Sequence, residues 1–324
     1  MTRTYEPLQL SRPVICVVGP TASGKTDVAQ EVARRLDGEV VSADSMQIYR
    51  GMNIGTGTIS EDERLVPHYG LDICEPGTPY SAALFQDYAR ACFSDMDARG
   101  KRGVLAGGTG LYVRAAIDDY RFPKGEQEDN PVREKWQRFL DEYGQQTLWD
   151  ELNRMDPASA EIIHPHNAKR VVRALEMLET EGVSYAQQHE GFKTMEQFVP
   201  AYFFGLAVEP ELLKTRINAR VDRMVESGLV AEVQQLLDQG FQDALTAREA
   251  IGYKEIVAAL RGECTLEEGI EAIKLATRRY AKRQRTWWRG DERVMWIDAD
   301  DADVSRMADE IVRAVQQCDA ALSA

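Results

Sequence analysis

Near the N-terminus the chain reads Gly19-Pro20-Thr21-Ala22-Ser23-Gly24-Lys25-Thr26, which has the form G-x-x-x-x-G-K-T. The apolar run 13–18 precedes it and is typical of a buried strand, while segment 27–36 follows it with apolar residues at helical spacing. Strand, glycine loop and helix are the context in which this pattern is a P-loop. The sequence therefore predicts a loop whose backbone N–H groups converge on phosphate oxygens at a helix N-terminus.

The rest of the chain has the composition of an ordinary globular protein. It has 324 residues, a formal net charge of −14 and five scattered cysteines without C-x-x-C spacing. No apolar run approaches the roughly 20 residues of a membrane span, and the polar N-terminal residues lack a signal-peptide core. We therefore expect a cytoplasmic protein with reduced thiols and no membrane contact. The acidic balance argues against indiscriminate nucleic-acid binding but not against a local basic surface.

Strand-like and helix-like segments alternate at both ends of the chain. Residues 1–117 show strand patterns followed by helical ones, and the strand patterns lie at 13–18, 40–41, 67–73 and 103–106. Residues 201–324 carry strand patterns at 201–208 and 294–297, and helical runs at 211–237, 247–260, 266–288 and 303–317. We therefore predict an α/β protein with a P-loop NTPase-like parallel-sheet core.

Residues 118–200 show no convincing strand. Their helical stretches are separated by turn-forming residues at 123–125, 131, 143–144, 157 and 165. We therefore predict an all-helical domain inserted between the two parts of the core.

Asp44 is a candidate general base. It follows the Val40-Val41 strand, and because the carboxyl ends of parallel strands meet at one edge of a sheet, we expect it beside the P-loop. A carboxylate there could accept a proton from an attacking hydroxyl or amine. The alternative is a strand-end aspartate that caps the next turn or binds Mg²⁺ through water.

Thr109 lies in a second Gly-rich segment, Gly107–Gly110. Its hydroxyl could donate a hydrogen bond to a bridging or leaving oxygen, or it could only shape the turn. The strand before it lacks the terminal aspartate of ATPase motors. We therefore expect either a small-molecule kinase or a transferase with a phosphate leaving group.

The segment between Ala272 and Gly290 is rich in Lys and Arg and contains no acidic residue. One helical face would carry Arg278, Lys282, Arg285 and Arg289. In such an acidic chain this stripe indicates contact with nucleic-acid backbone or diphosphate, and the alternative is that it neutralises the protein's own acidic surface. We expect at least one residue of the Trp287-Trp288 pair to pack in the core.

Eight segments, in this order, resemble the tRNA dimethylallyltransferases, also called tRNA isopentenyltransferases. They are GPTASGKT at 19–26, SADSMQIYRGMNIGT at 42–56, YSAALF at 80–85, GGTGLY at 107–112, RVVRALE at 170–176, RVDRMVESGLVAEV at 220–233, AIGYKE at 250–255 and TRRYAKRQRTWWR at 277–289. Their joint order is far more specific than any one of them.

The resemblance implies a transfer reaction. Dimethylallyl diphosphate would enter a channel through the core, and its diphosphate would be held by Mg²⁺ and by Gly19, Thr21, Ala22, Ser23, Gly24, Lys25 and Thr26. Adenosine 37, next to the tRNA anticodon, would be flipped into the other end, where its N6 attacks the allylic carbon. Asp44 would accept the proton, Thr109 and Arg220 (or Arg216) would stabilise the departing diphosphate, and Thr26 would hold Mg²⁺ directly or through water.

The resemblance also implies contacts with the tRNA anticodon stem-loop. These fall on Asp44, Ser45, Met46, Gln47, Lys169, Arg170, Arg173, Arg248, Gly252, Tyr253, Arg278 and Lys282. The chain departs from the family pattern at 56–59, which lacks the usual Thr-Ala-Lys-Pro run, at 67–70, and at 164–167. These departures concern loop contacts and the choice of tRNA, not the reaction.

Three other functions compete with this interpretation. A cytokinin-type enzyme would alkylate free AMP, ADP or ATP, but it would need neither the insertion nor the basic helix. A small-molecule kinase would use ATP. An RNA-binding module would have a vestigial P-loop, against which the intact Lys25, Thr26, Asp44 and Thr109 argue. We also expect a monomer.

Overall fold

The computed structural model describes residues 6–122, 130–191, 195–241, 244 and 246–322. The described chain divides into two compact units. One contains the residues up to Asp118 and from Gln197 onward, and the other is Asp119–Glu196. The predicted separator at 123–125 lies outside the described residues.

The first part of the larger unit alternates strands and helices. It comprises β1 (Val14–Val18), α1 (Lys25–Arg35), β2 (Gly38–Ser42), β3 (His68–Tyr69), α2 (Ala82–Ala98), β4 (Arg102–Gly107) and α3 (Gly110–Ile117). β1, β2 and β4 are buried along their whole length, as expected for inner strands covered by helices on both faces. Ser81 caps α2, because its side chain accepts a hydrogen bond from the backbone N–H of Leu84 at 3.2 Å.

The smaller unit is helical throughout the residues that the structure describes. It contains α4 (Pro131–Met155), α5 (Pro157–Ile162), α6 (Ala168–Glu181) and α7 (Tyr185–Gly191). Pro131 and Pro157 stand in the first turns of their helices, where proline costs no hydrogen bond. Gly144 interrupts α4 with φ 80° and ψ 172°. The unit has its own core, which includes Trp136 and Leu148.

The second part of the larger unit completes the fold. It comprises β5 (Ala201–Ala207), α8 (Pro210–Glu226), α9 (Leu229–Asp238), α10 (Tyr253–Leu260), α11 (Leu266–Arg289), β6 (Val294–Asp298) and α12 (Val304–Leu322). The expectation of one continuous helical run over 211–237 is wrong, because Gly228 has φ 101° and starts a new helix. The run at 247–260 is also divided: Ala247–Glu249 form a 3₁₀ turn, and the α-helix begins only at Tyr253.

In the described part of the chain, the strands form one parallel sheet in the order β3-β2-β4-β1-β5-β6. β1 lies between β4 and β5, with Val18 opposite Gly107 and Gly205. The loops that follow β1, β2 and β4 therefore leave the sheet at the same edge, where parallel sheets bind ligands. The predicted α/β core with a helical insertion is confirmed. Among the described helices, none has the length and apolar character needed to cross a bilayer.

Candidate active site

The P-loop connects β1 to α1 and has unsatisfied donors. Gly24 immediately precedes α1, so the N–H groups of the first helical turn are directed at the loop. Lys25 Nζ donates to the Pro20 carbonyl at 2.6 Å. Ser23 Oγ is buried and has no hydrogen-bond partner among the described residues. An unpaired buried hydroxyl beside a positive helix end fits a phosphate-bearing ligand.

Two cavities adjoin each other at the P-loop. The smaller, of about 60 Å³, is lined by polar groups that include Lys25 and Thr26. The larger, of about 490 Å³, extends between α8, α11 and the segment before α10. Both cavities are lined by Thr21, Asp44, Thr56 and Arg220. These residues therefore mark the junction of a small polar compartment and a larger one.

Asp44 reaches this junction because it lies two residues beyond the end of β2. One of its carboxylate oxygens, Oδ1, accepts a hydrogen bond from the backbone N–H of Met46 at 2.9 Å, which fixes the side chain in the turn. Ser45 and Met46 line the larger cavity with it, and Gln47 lines the smaller one. The structure thus brings Asp44 to the same cavities as the P-loop residues.

Arg220 is the arginine that α8 presents to this junction. Its Nη2 donates to the Thr56 carbonyl at 3.3 Å. It passes so close to Gly57 that a Cβ at that position would clash with the guanidinium. Arg216 is used elsewhere, because its guanidinium donates to the carbonyls of Ala299 and Asp300 at 2.9 and 2.6 Å.

Lys25 and Arg220 form a cationic pair in a poorly solvated place. Burial, reinforced by the charge of Arg220 and opposed by that of Asp44, lowers the pKa of Lys25 to about 7. Burial likewise lowers the pKa of Arg220, although Asp44 acts in the other direction. Because burial makes the charged forms of both side chains unfavourable, an anion bound between them would be strongly stabilised.

Thr109 occupies the N-cap position of α3 without a side-chain capping hydrogen bond, and it contacts α11. Its Oγ1 lies 3.3 Å from the hydroxyl of Tyr280, and Tyr280 lines the larger cavity. The preceding residues Gly107 and Gly108 line the smaller cavity. Burial raises the pKa of Tyr280 to about 12, so its hydroxyl remains protonated at neutral pH.

Gln284 was not predicted from the sequence, yet it holds the P-loop. Its side chain is only 5% exposed, and its Oε1 accepts a hydrogen bond from the backbone N–H of Thr21 at 2.8 Å. A signal was present, because Gln284 continues the helical spacing of buried Ile273, Ala281 and Trp288. The side-chain amide of a glutamine within an apolar stripe is buried and must form its hydrogen bonds inside the protein. The expectation for the tryptophan pair is confirmed, because Trp288 is buried whereas Trp287 is 43% exposed.

The basic residues of α11 divide between two faces. Arg279 and Arg283 line the larger cavity. Arg278 and Lys282, which the charge stripe had indicated, line a separate groove of about 170 Å³ between α8 and α11. Arg278 also donates to Asn218 Oδ1 at 2.9 Å. The structure therefore does not bring Arg278 and Lys282 to the cavity that contains Asp44.

Gly252, in the segment before α10, and Lys254, in the first turn of α10, contribute to a wall of the larger cavity. Arg248 instead lines another cavity, of about 270 Å³. Tyr253 is fully buried, and its hydroxyl donates to Glu232 Oε1 at 2.6 Å. In this conformation Tyr253 is not accessible to a nucleic acid.

The basic cluster of the smaller unit lies at the start of α6. Lys169 and Arg170 are exposed. Arg173 is paired with the buried Glu176 at 2.5 Å, an acid that Arg133 also contacts at 3.0 Å. Lys169 and Arg170 are therefore the more available cations of this cluster.

The donors of the smaller cavity are compatible with Mg²⁺. Thr26, Ser42, Asp44 and Gln47 offer hydroxyl, carboxylate and amide oxygens, the hard ligands that this ion prefers. The described residues contain no cluster of three or more His, Cys, Asp or Glu side chains suited to a metal. An ion here would share its ligands between the protein, water and the phosphates of a substrate, as Mg²⁺ usually does.

Comparisons with known proteins agree with this geometry. The family model described as IPP transferase matches residues 47–291. The chain belongs to this family. A second model, described as isopentenyl transferase, matches residues 13–66. The family resemblance predicted from the sequence is therefore confirmed.

Relatives that match nearly the whole chain are tRNA dimethylallyltransferases or tRNA isopentenylpyrophosphate transferases. This chain is 42% identical to the tRNA dimethylallyltransferase of Carboxydothermus hydrogenoformans, over 94% of this chain and 97% of that protein. The crystal structure of a tRNA isopentenylpyrophosphate transferase from Bacillus halodurans is similar, with a TM-score of 0.70 and 41% identity over 95% and 96% of the two chains. A eukaryotic dimethylallyltransferase acting on tRNA gives a TM-score of 0.74 at 29% identity, over 90% of this chain and 75% of that one.

Proposed function

We propose that this protein moves a dimethylallyl group from dimethylallyl diphosphate to N6 of adenosine 37 in tRNA and releases diphosphate. The junction of the two cavities carries this proposal, because Asp44 lies there with Arg220 and next to Lys25. A polar compartment suited to diphosphate thus adjoins a larger compartment with room for a nucleobase. The names of the relatives support the same reaction.

The reaction joins N6 of the adenosine to C1 of the allyl group as the C1–O bond breaks, and the bonding electrons leave with the diphosphate. The N6 lone pair is delocalised into the purine ring, so transfer of the N6 proton to Asp44 favours attack. The charge that develops on the leaving group would be stabilised by Lys25, Arg220 and the Thr109 hydroxyl. Mg²⁺ bound at Thr26 would neutralise further charge on the diphosphate.

Binding of tRNA must compensate for flipping the adenosine out of its stack, which costs a few kcal/mol. We assign this role to Asp44, Ser45, Met46, Gln47 and Gly252 at the larger cavity, to Lys169, Arg170 and Arg173 in the helical unit, and to Arg248, Arg278 and Lys282 on the outer grooves. The geometry adds Arg279 and Arg283. Tyr253, which is buried, would affect tRNA binding through the residues that it contacts.

We further propose that the protein works as a monomer in the cytoplasm, and that the helical unit is a tRNA-contacting domain. The five cysteines are free, as expected in a reducing compartment. Sedimentation of the purified protein with and without tRNA would test the oligomeric state. A dimer both with and without tRNA would contradict the proposal that the protein is a monomer.

One incubation tests the reaction. Purified protein, Mg²⁺ and labelled dimethylallyl diphosphate are mixed with unmodified tRNA, and AMP and ATP are tested in parallel. We expect label on adenosine from tRNA alone after nuclease digestion, and none with a tRNA whose adenosine 37 is replaced by guanosine. If no label appears on any acceptor while the protein is folded, the proposal is wrong, and release of ADP with candidate metabolites would favour a kinase.

A second model that matches residues 13–66 is described as isopentenyl transferase without mention of tRNA, so a second candidate is alkylation of a free adenine nucleotide. Label on AMP or ATP in the same incubation would support it. We favour tRNA as the acceptor because the relatives that match nearly the whole chain are named tRNA dimethylallyltransferase.

A further inference from the structure

Glu232, on α9, has its carboxylate surrounded by four hydrogen-bond donors. Three are successive backbone N–H groups: those of Asn53 and Ile54 lie 2.9 and 2.8 Å from Oε2, and that of Gly55 lies 3.1 Å from Oε1. The fourth is the hydroxyl of Tyr253, at 2.6 Å from Oε1. Successive backbone N–H groups form a concave anion site, and here a carboxylate of the same chain occupies it.

Glu232 thus holds loop 53–57, and this loop positions the side chains of Arg220 and Gln47 at the cavities. The Thr56 carbonyl accepts from Arg220 at 3.3 Å and from Gln47 Nε2 at 3.4 Å, and the Gly57 carbonyl accepts from Gln47 Nε2 at 3.3 Å. Gln47 is held from its other side by Ser42, whose hydroxyl donates to Oε1 at 2.7 Å. A shift of loop 53–57 would therefore move the guanidinium of Arg220.

Glu232 also connects this loop to the wall before α10. The Tyr253 ring lies against Gly55 so closely that a Cβ on Gly55 would clash with it. Gly55 and Gly252, the neighbour of Tyr253, both line the larger cavity. Glu232 itself does not appear in the lining of either cavity, so it touches the reacting groups only through these residues.

We propose that Glu232 is a positioning residue of the transfer reaction: its carboxylate fixes loop 53–57 so that Arg220 meets the diphosphate. Hydrogen bonds to an ionised acceptor are stronger and shorter than neutral ones, which suits a group that must hold a loop. This inference rests on the proposed function for its effect on turnover, but its effect on anion binding does not depend on that function.

The test uses Glu232→Gln, which keeps the shape and removes the charge, and Asp238→Asn as a matched control on α9. Asp238 is exposed, and among the described residues it accepts only from Gln234 on its own helix. We expect Glu232→Gln to lower kcat by about tenfold to 10²-fold, the cost of a misplaced group near a reacting centre. The dissociation constant of inorganic diphosphate, measured by calorimetry, should rise several-fold, and Asp238→Asn should change neither value.

A double-mutant cycle separates positioning from mere stabilisation of α9. If Glu232 acts through Arg220, Glu232→Gln should weaken diphosphate binding and turnover no further when Arg220 is already alanine. Additive losses would overturn the inference, as would wild-type diphosphate binding in Glu232→Gln. Should Glu232→Gln fold poorly, Tyr253→Phe removes one donor while keeping the ring, and we expect the same pattern with a smaller amplitude.

The binding result also distinguishes the two proposals. If the wild-type protein transfers no label but Glu232→Gln still weakens diphosphate binding through Arg220, the positioning role stands and the proposed reaction fails. If the wild-type protein transfers label and Glu232→Gln behaves like wild type in both measurements, the reaction stands and the positioning role fails.

Discussion

Gln284 and Thr21 are joined by a hydrogen bond of 2.8 Å that spans 263 positions of the sequence. The side-chain amide oxygen of Gln284, on α11, accepts a hydrogen bond from the backbone N–H of Thr21, so α11 fixes the conformation of the P-loop. Tyr280, one turn earlier on the same helix, contacts Thr109. The two Gly-rich loops that flank the smaller cavity are thus held by a single helix.

Replacement of Gln284 tests this connection. We expect Gln284→Ala to raise the KM for dimethylallyl diphosphate by about tenfold and to lower the free energy of unfolding by about 1–3 kcal/mol, because the Thr21 N–H loses a buried partner. Steady-state kinetics and denaturant unfolding would measure these effects. Thr286→Ala is the control, since Thr286 is exposed on the same helix and, within the described part of the chain, its hydroxyl bonds only to the Lys282 carbonyl. An unchanged KM would show that the P-loop does not depend on Gln284.

Removal of the proposed base should separate binding from chemistry. We expect Asp44→Ala to lower turnover by about 10²-fold or more, because general-base catalysis contributes on this order. The affinity for tRNA should remain largely intact. Single-turnover rates and filter binding would measure the two quantities. Near-normal turnover would show that Asp44 is not the base.

The lowered pKa of Lys25 makes diphosphate binding depend on pH. Since this pKa is about 7 in the free protein and a diphosphate would raise it, the amine is mostly deprotonated at pH 8 and must take up a proton on binding. We expect affinity to fall by about fivefold between pH 7 and pH 8, and uptake of up to about one proton per diphosphate at pH 8.

Calorimetry in two buffers of different ionisation enthalpy measures this uptake. Lys25→Met is the matched control, because in this variant the ligand and all other groups still exchange protons and only the contribution of Lys25 is removed. Equal proton uptake by the wild type and Lys25→Met would contradict the linkage.

The outer groove of α11 can be tested through the salt dependence of tRNA binding. We expect Arg278→Ala and Lys282→Ala each to weaken binding and to reduce the slope of log K against log salt by about one, as for the loss of one phosphate contact. Binding of dimethylallyl diphosphate should not change. Arg313→Ala, at an exposed arginine of α12, is the control for net charge. If the slope is the same in all variants, this groove does not contact tRNA.

The fold and the arrangement of the first loops follow from local patterns in the sequence. The glycine loop between an apolar strand and an amphipathic helix predicts the P-loop context, and the structure has it between β1 and α1. Strand patterns around Val40 and Val104 likewise appear as β2 and β4. The helical run at 211–237 was predicted less well, since nothing local shows that Gly228 would adopt a left-handed conformation and divide it.

The α/β core, its P-loop, its helical insertion and the family of the chain could be predicted from the sequence, because they depend on motifs and on hydrophobic periodicity along the chain. Which face of α11 meets the cavity, that Arg220 and not Arg216 reaches the junction, and that Glu232 holds loop 53–57 became evident from the folded structure. These contacts join residues that are far apart in sequence, so no local pattern encodes them. A charge pattern gives the faces of a helix, but the packing of other helices decides which face is turned toward the site.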